Sequence, residues 1–251
     1  MKMMILHEDT RIMAAVTLRD EHAPRYGSMA LHTGEEPQAI MANREALSDR
    51  TLPLSQWACA AQTHSAQACL VRDEDKGRGA RSAQDAIPCD ALYTRERQVL
   101  IGVFTADCVP LLLHDPYSGI IAAIHAGWLG TVKQITRHTL LRLIDEEGLD
   151  PRSTQVWIGP CIHQPSFQIR NDVIEQIRAL PFDVSPYLQM QEDGSALADN
   201  VGLNVHMLQE LGITKEHISI CEMDTCAEKK DCFSYRRDHT AGRHFSFLYR
   251  K

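Results

Sequence analysis

Residues 99–125 read VLIGVFTADCVPLLLHDPYSGIIAAIH, and no other stretch limits the fold as strongly. Three apolar runs, 99–104, 109–113 and 120–125, follow one another within it. Each is too short for a buried helix, and β-branched and large aliphatic residues dominate them, so each predicts a buried strand. HDPYSG at 114–119 gathers Asp, Pro, Ser and Gly and predicts a turn, which makes the last two runs a hairpin-like pair. Asp107 and Cys108 interrupt the apolar pattern between the first two runs. A carboxylate in such a place is costly unless it is paired or functional, so the pair marks a candidate site.

The flanking chain fills in the fold class. Helical spacing appears at 35–49, at 132–147 with Gly148 as its stop, at 171–179 and at 201–211 before Gly212. Segments 155–158 and 218–221 predict further strands, 56–62 predicts a strand or a short buried segment, and the polar, Gly-containing 73–86 predicts a surface loop. Strands alternating with helices, together with the central hairpin, predict an α/β (α+β) fold with mixed sheets flanked by helices. The 251 residues fit one domain, 1–251. Asp and Glu outnumber Lys and Arg by 33 to 26, which argues against nucleic acid or an anionic membrane as partner. No apolar run reaches the ~18 residues of a membrane span, and the N-terminus lacks a secretory pattern. These features predict a cytoplasmic protein whose eight cysteines are reduced; the further expectation, of a monomer or weak dimer with a small-molecule substrate, goes with the family resemblance given below.

His64, Cys108 and His125 fall at predicted strand ends or beside them, where a rigid scaffold presents side chains to a cleft. Two His and one Cys form a ligand set that zinc uses in open catalytic sites and that copper also accepts. Twelve histidines occur in the chain, so a core cysteine with two surface histidines is the competing reading. Gly127 and Gly130 flank Trp128 in a turn that leads to the 132–147 helix, a candidate position for an anion. Arg236, Arg237 and Arg243 could hold phosphate or carboxylate, or could pair with Asp residues on the surface. Signatures of serine hydrolases, P-loop and Rossmann nucleotide binders, zincins and the zinc deaminases are all missing.

QTH at 62–64, TADC at 105–108, HAGW at 125–128, GPCI at 159–162 and FSYRRD at 233–238 with Gly242-Arg243 occur in that order. Together they resemble the YfiH/laccase-domain family, also labelled polyphenol oxidase, which includes purine nucleoside phosphorylase-like enzymes and the peptidoglycan editing factor. The resemblance implies a cysteine-hydrolase-like fold and a zinc, or alternatively a copper, held by His64, Cys108 and His125. It implies catalytic roles for Asp107, Cys108 and His125, with Asp107 as proton acceptor or orienter of His125, and substrate contacts from Gln62, Ser234, Arg236, Arg237 and Arg243. The activities implied are phosphorolysis of adenosine, inosine and methylthioadenosine and deamination of adenosine. The alternatives are amidase removal of wrongly incorporated serine from a muramyl precursor and copper phenol oxidation. Leu129 stands where the family usually has Arg, Ala30 where it has Asn, and His239 where it has Gly.

Overall fold

The computed structural model describes residues 1–239 and 242–251. In chain order the elements are β1 (Met3–Glu8), β2 (Ile12–Thr17), α1 (Pro37–Ser48), β3 (Trp57–Cys59), β4 (Ala68–Leu70), β5 (Ala91–Thr94), β6 (Leu100–Thr105), β7 (Val109–His114) and β8 (Ile121–Ala126). Then come α2 (Trp128–Val132), α3 (Ile135–Glu147), β9 (Gln155–Ile158), β10 (Gln168–Ile169) and α4 (Asn171–Arg178). The chain continues with β11 (Leu188–Met190), β12 (Ala196–Ala198), α5 (Asn200–Glu210), β13 (Ile218–Ile220), α6 (Tyr235–Asp238) and β14 (His244–Arg250).

Two mixed sheets carry the structure, one ordered β1-β2-β14-β6-β3 and the other β13-β9-β7-β8-β5-β4. They stack face to face: Ile12, Ile101, Val103 and Leu248 of the first meet Leu92, Leu112, Ile121 and Ala123 of the second. The outer face of the six-stranded sheet is covered by Leu140 and Leu143 of α3 and by Val201 and Leu208 of α5. Leu47 of α1 covers the outer face of the other sheet, over Trp57, Phe245 and Phe247. The layers are thus helix, sheet, sheet, helix. A small third sheet, β10-β12-β11, packs with α4 and one face of α5.

This layering explains the unbroken apolar runs. In β7, Leu111 and Leu113 point toward α3 and α5 while Leu112 points into the layer between the sheets, so both faces are dry. Each such leucine contributes roughly 1.5–3 kcal/mol by leaving water. Gly102 interrupts β6 because a Cβ there would meet the Phe245 ring at 2.7 Å.

Three expectations change. The helix predicted over 132–147 is α3, which starts three residues later at Ile135; Val132 ends α2, and Gln134 separates the two in a left-handed conformation (φ 58°). The glycine turn before it is mostly the five-residue α2 itself, in which the Thr131 N–H donates to the Gly127 carbonyl at 2.8 Å. The 73–86 loop is not wholly at the surface either. Buried Arg44 donates to the carbonyls of Gly79 and Ala80 at 2.6 and 2.8 Å and draws that turn inward.

Candidate metal centre and cleft

β6 belongs to one large sheet and β7 to the other, so residues 106–108 are the crossing between them. Asp107 makes that crossing in the left-handed region (φ 86°), a conformation Asp tolerates better than most residues. Its carboxylate accepts hydrogen bonds from the Thr225 hydroxyl at 2.7 Å and the Arg236 N–H at 2.6 Å. Its carbonyl accepts from the Ile162 N–H at 2.9 Å. The interrupting carboxylate therefore fastens the 225–236 segment to the end of β6, and it is largely buried because it is fully paired.

The crossing delivers Cys108 beside His125, the penultimate residue of β8, and His64, in the loop after β3. One ligand atom from each lies within 4.8 Å of the others, and Cys108 Sγ is 4.0 Å from His64 Nε2. A tetrahedral zinc would need ligand separations of roughly 3.3–3.8 Å, which small rotamer adjustments supply. The backbone leaves room as well: a Cβ on Gly127 would fall 2.8 Å from His64 Cδ2 and 2.9 Å from Cys108 Sγ. The three residues fit a zinc ion, with Cys108 as thiolate and both histidines as neutral donors. Among the described residues, this is the one group of three His, Cys, Asp or Glu side chains arranged to hold a metal.

The carboxylate that orients His125 is Asp90 rather than Asp107. His125 Nδ1–H donates to Asp90 Oδ1 at 2.8 Å, which turns Nε2 toward the centre. Asp90 is wholly buried, and it also accepts from the N–H groups of Thr63, His64 and Ser65 at 3.2, 3.1 and 2.6 Å and from the Ser65 hydroxyl at 2.6 Å. One carboxylate thus places two of the three ligands. It holds His64 in a left-handed conformation (φ 56°), and Lys133 Nζ donates to the His64 carbonyl at 2.8 Å from the other side.

The electrostatics are mutual. Burial alone would raise the Cys108 thiol, but the charge and hydrogen bonds of His125 and His64 outweigh it and bring the pKa to about 6. Burial would lower His125, yet Cys108 and Asp90 push it up to about 9. Burial also opposes ionisation of Asp90, and hydrogen bonds from His125 and Ser65 overcome it and hold that carboxyl well below the usual range. All three shifts run the same way, favouring the charged forms of Asp90, His125 and Cys108 beside one another.

The centre opens into a cleft of about 830 Å³. Gln62, Arg236 and Arg243 line it with Asp107, Cys108, His64 and His125. Gln62 is occupied structurally, since its amide both donates to and accepts from the Phe104 backbone, at 2.8 and 2.7 Å. Ser234 and Arg237 stand behind the wall. The Ser234 hydroxyl caps α6 by accepting from the Arg237 N–H, while the Arg237 guanidinium donates to the carbonyls of Thr225, Cys226 and Cys232 and pairs with Asp238. Sequence reasoning missed Asp90 and the ring-bearing walls: His32, Trp128, Phe167 and Tyr235 all line the cleft. A sequence clue to Asp90 existed in its place between Cys89 and the apolar start of a strand.

A mixed α/β protein with stacked sheets and a His–Cys–His centre beneath a cationic cleft is what the fold and site define. The chain belongs to the multi-copper polyphenol oxidoreductase laccase family, which it matches over residues 14–251. It is 33% identical over 221 residues to purine nucleoside phosphorylase YlmD of Bacillus subtilis, covering 87% of this chain and 80% of that one. It is 31% identical to adenosine deaminase RL5 from an unknown prokaryotic organism, over 76% of this chain and 73% of that protein. The crystal structure of YlmD from Geobacillus stearothermophilus superposes with a TM-score of 0.91 at 31% identity, covering 96% of this chain and 92% of that one. Among the described residues no helix is long and apolar enough to cross a membrane.

Proposed function

We propose that the protein is a purine nucleoside phosphorylase that also deaminates adenosine, with adenosine, inosine and methylthioadenosine as substrates. The observation that carries this reading is the composition of the cleft, where the ligand triad, two guanidinium groups and several flat rings face one volume. Trp128, Phe167 and Tyr235 offer π-faces to a purine. Arg236 and Arg243 bring to the cleft wall the cationic donors that a phosphate needs, with Arg236 Nη1 braced by donating to the Gln168 carbonyl at 2.7 Å. Asp107 fixes the Arg236 backbone, and burial with the charges of Arg243 and Arg44 lowers His32 to about 4, so the leaving base takes its proton from the other cleft imidazole, His239. His64, Cys108 and His125 would hold the zinc, which when bound supplies Lewis-acid activation of water for deamination. The relatives' names, phosphorylase and deaminase, support both halves.

The test is incubation of the metal-loaded protein with each nucleoside, with and without phosphate, followed by chromatography. Free base that forms only with phosphate is the expected result. Bound zinc with neither free base nor deaminated product would overturn the reading.

A second reading draws on the row Asp90–His125–Cys108, which matches the orienter, base and nucleophile of a cysteine hydrolase, with the thiol held at about 6. It would make the protein an amidase on a muramyl precursor. Alkylation of Cys108 that blocks turnover while metal stays bound would favour it. Copper phenol oxidation finds less support, since the described residues offer no second ligand group for a multicopper relay.

A further inference from the structure

Two asparagines on α5 are buried, and their amides are used differently. Asn204 is satisfied at both ends. Its Nδ2 donates to the Thr131 hydroxyl at 2.9 Å and to the Asn200 carbonyl at 2.8 Å, and its Oδ1 accepts from the Thr136 hydroxyl at 2.6 Å. Asn200, one turn earlier, is satisfied at one end. Its Nδ2 donates to the Ala126 carbonyl at 3.0 Å. Only the NH2 end of an amide can donate to a carbonyl, so this bond fixes which way the side chain lies. Among the described residues no donor reaches Asn200 Oδ1, and that oxygen is not sealed in the core. The residue is 4% exposed and lines the cleft, so the cleft is what its free oxygen faces.

An acceptor held in this way calls for a donor on whatever fills the cleft. A ligand that expels water from Oδ1 must replace the hydrogen bond or lose affinity. Phosphate suits it poorly, because most phosphate oxygens are bare acceptors, and the cationic donors stand on Arg236 and Arg243. Asn200 is tied instead to the ring-bearing wall. Ala126, which holds its amide, lies two residues before Trp128, and Trp128 packs with Ile162 and Phe167. All three of these side chains line the cleft with Asn200. The acceptor therefore belongs to the wall that offers ring faces to a base. Adenosine and methylthioadenosine carry an exocyclic N–H at position 6 of the purine, and inosine carries N1–H beside that position.

We propose that Asn200 is a specificity-determining residue whose Oδ1 accepts an N–H from the six-membered-ring edge of the purine, so that the cleft selects nucleosides carrying a donor there. The inference rests on the purine nucleoside reading given above. It assigns one side chain to adenosine and inosine alike, since one acceptor serves the exocyclic N–H of the first and the N1–H of the second. The bond to Ala126 makes the acceptor rigid, and a rigid acceptor left unpaired is what penalises a base that lacks the donor.

The test compares inosine with 1-methylinosine, in which a methyl group replaces the N1 hydrogen. Each is titrated by calorimetry into the zinc-loaded protein without phosphate, so the glycosidic bond stays intact. The wild type should bind inosine about tenfold more tightly or better. In Asn200→Ala the affinity for inosine should fall about fivefold or more, and the preference should shrink to within about threefold. Asn200→Leu, of similar volume, should bind inosine as weakly, which separates the lost acceptor from lost packing. Equal affinity of the wild type for the two ligands would overturn the proposal, as would a preference that survives in Asn200→Ala. An equal loss for both ligands would reduce Asn200 to its bond with Ala126 and refute it too. Inosine preferred by the wild type, with no free base released once phosphate is added, would sink the phosphorylase reading and leave the role of Asn200 standing. Binding of neither nucleoside would sink both.

Discussion

Gly127→Ala separates the architecture of the centre from the stability of the fold. Gly127 has φ −67° and ψ 164°, a backbone that alanine adopts without strain. On chain entropy alone the substitution would stabilise by about 0.4–1 kcal/mol. The added methyl, however, would sit 2.8 Å from His64 Cδ2 and 2.9 Å from Cys108 Sγ. Ordinary contact needs about 3.5–4.0 Å, so the two ligands must retreat by roughly 0.6–1.2 Å. Overpacking of that kind costs about 1–3 kcal/mol, which leaves a net loss of stability of no more than ~2–3 kcal/mol. Metal ligation tolerates only about ±0.2 Å, so zinc affinity should fall much further, by ~100-fold or more. Thermal unfolding by circular dichroism and zinc competition against a chromogenic chelator read the two quantities separately. Gly130→Ala is the control, because its Cβ would meet Ile135 Cγ2 at 3.3 Å and would reach the His125 and Ser65 carbonyls only at ordinary contact distance, 3.6 and 3.7 Å, with no ligand side chain nearby. A Gly127→Ala protein that binds zinc like the wild type would refute this reading of the centre.

Asp90→Asn should lower zinc affinity by roughly 10–100-fold, because either orientation of the amide points an NH2 at N–H donors. It should also cost about 1–3 kcal/mol in urea unfolding, and unchanged affinity would count against Asp90 as the orienter. Arg237→Ala should cost about 2–3 kcal/mol of stability by stranding the 225–232 carbonyls. Arg236→Ala should leave stability within about 1 kcal/mol and lower kcat/KM for phosphate about tenfold or more; matching effects of the two would remove the distinction. Acid should weaken the fold early. Burial lowers His244 and His114 to about 4, so between pH 6.5 and 4 the unfolded chain binds protons that the folded one refuses. Their contribution is complete above 6.5 and shrinks as pH falls, by up to roughly 1.4 kcal/mol per pH unit for each. His244 has no vacancy for a second proton, since Nδ1–H donates to Thr17 and Nε2 accepts from the Phe233 N–H. Stability that is flat across this window would disprove the assignment.

Of the central strands, β6, β7 and β8 are legible because both of their faces are dry and no polar residue breaks the run, whereas β2, β5 and β14 are equally buried and escape the sequence reading. Most edge and short strands are not legible either. β1, at a sheet edge, has no buried residue and no two-residue alternation, and β4 and β10–β12 are too short to carry a period, β13 alone among the short edge strands being predicted outright. In the site, His64, Cys108 and His125 are legible from residue type, since few roles suit two histidines and a cysteine at strand ends. Asp90 is not, because its meaning comes from the 63–65 backbone folding over it. Asp107 is conspicuous for the right physical reason, burial, but its partners, Thr225 and Arg236, lie more than a hundred residues away. Arg236 and Arg237 are adjacent in sequence and point to opposite sides of one wall, which a turn as short as α6 allows and composition cannot foretell.

β14 lies between β2 and β6 in the five-stranded sheet, although it is the last strand in the chain. Until it inserts, β2 has β1 alone as neighbour and β6 exposes a bare backbone edge at the very strand that leads into Asp107 and Cys108. β14 therefore closes a sheet begun more than two hundred residues earlier in the chain, and it follows directly on the cleft wall that carries Arg243. A chain cut short before β14 holds His64, Cys108 and His125 without the strand that seals the sheet beside them.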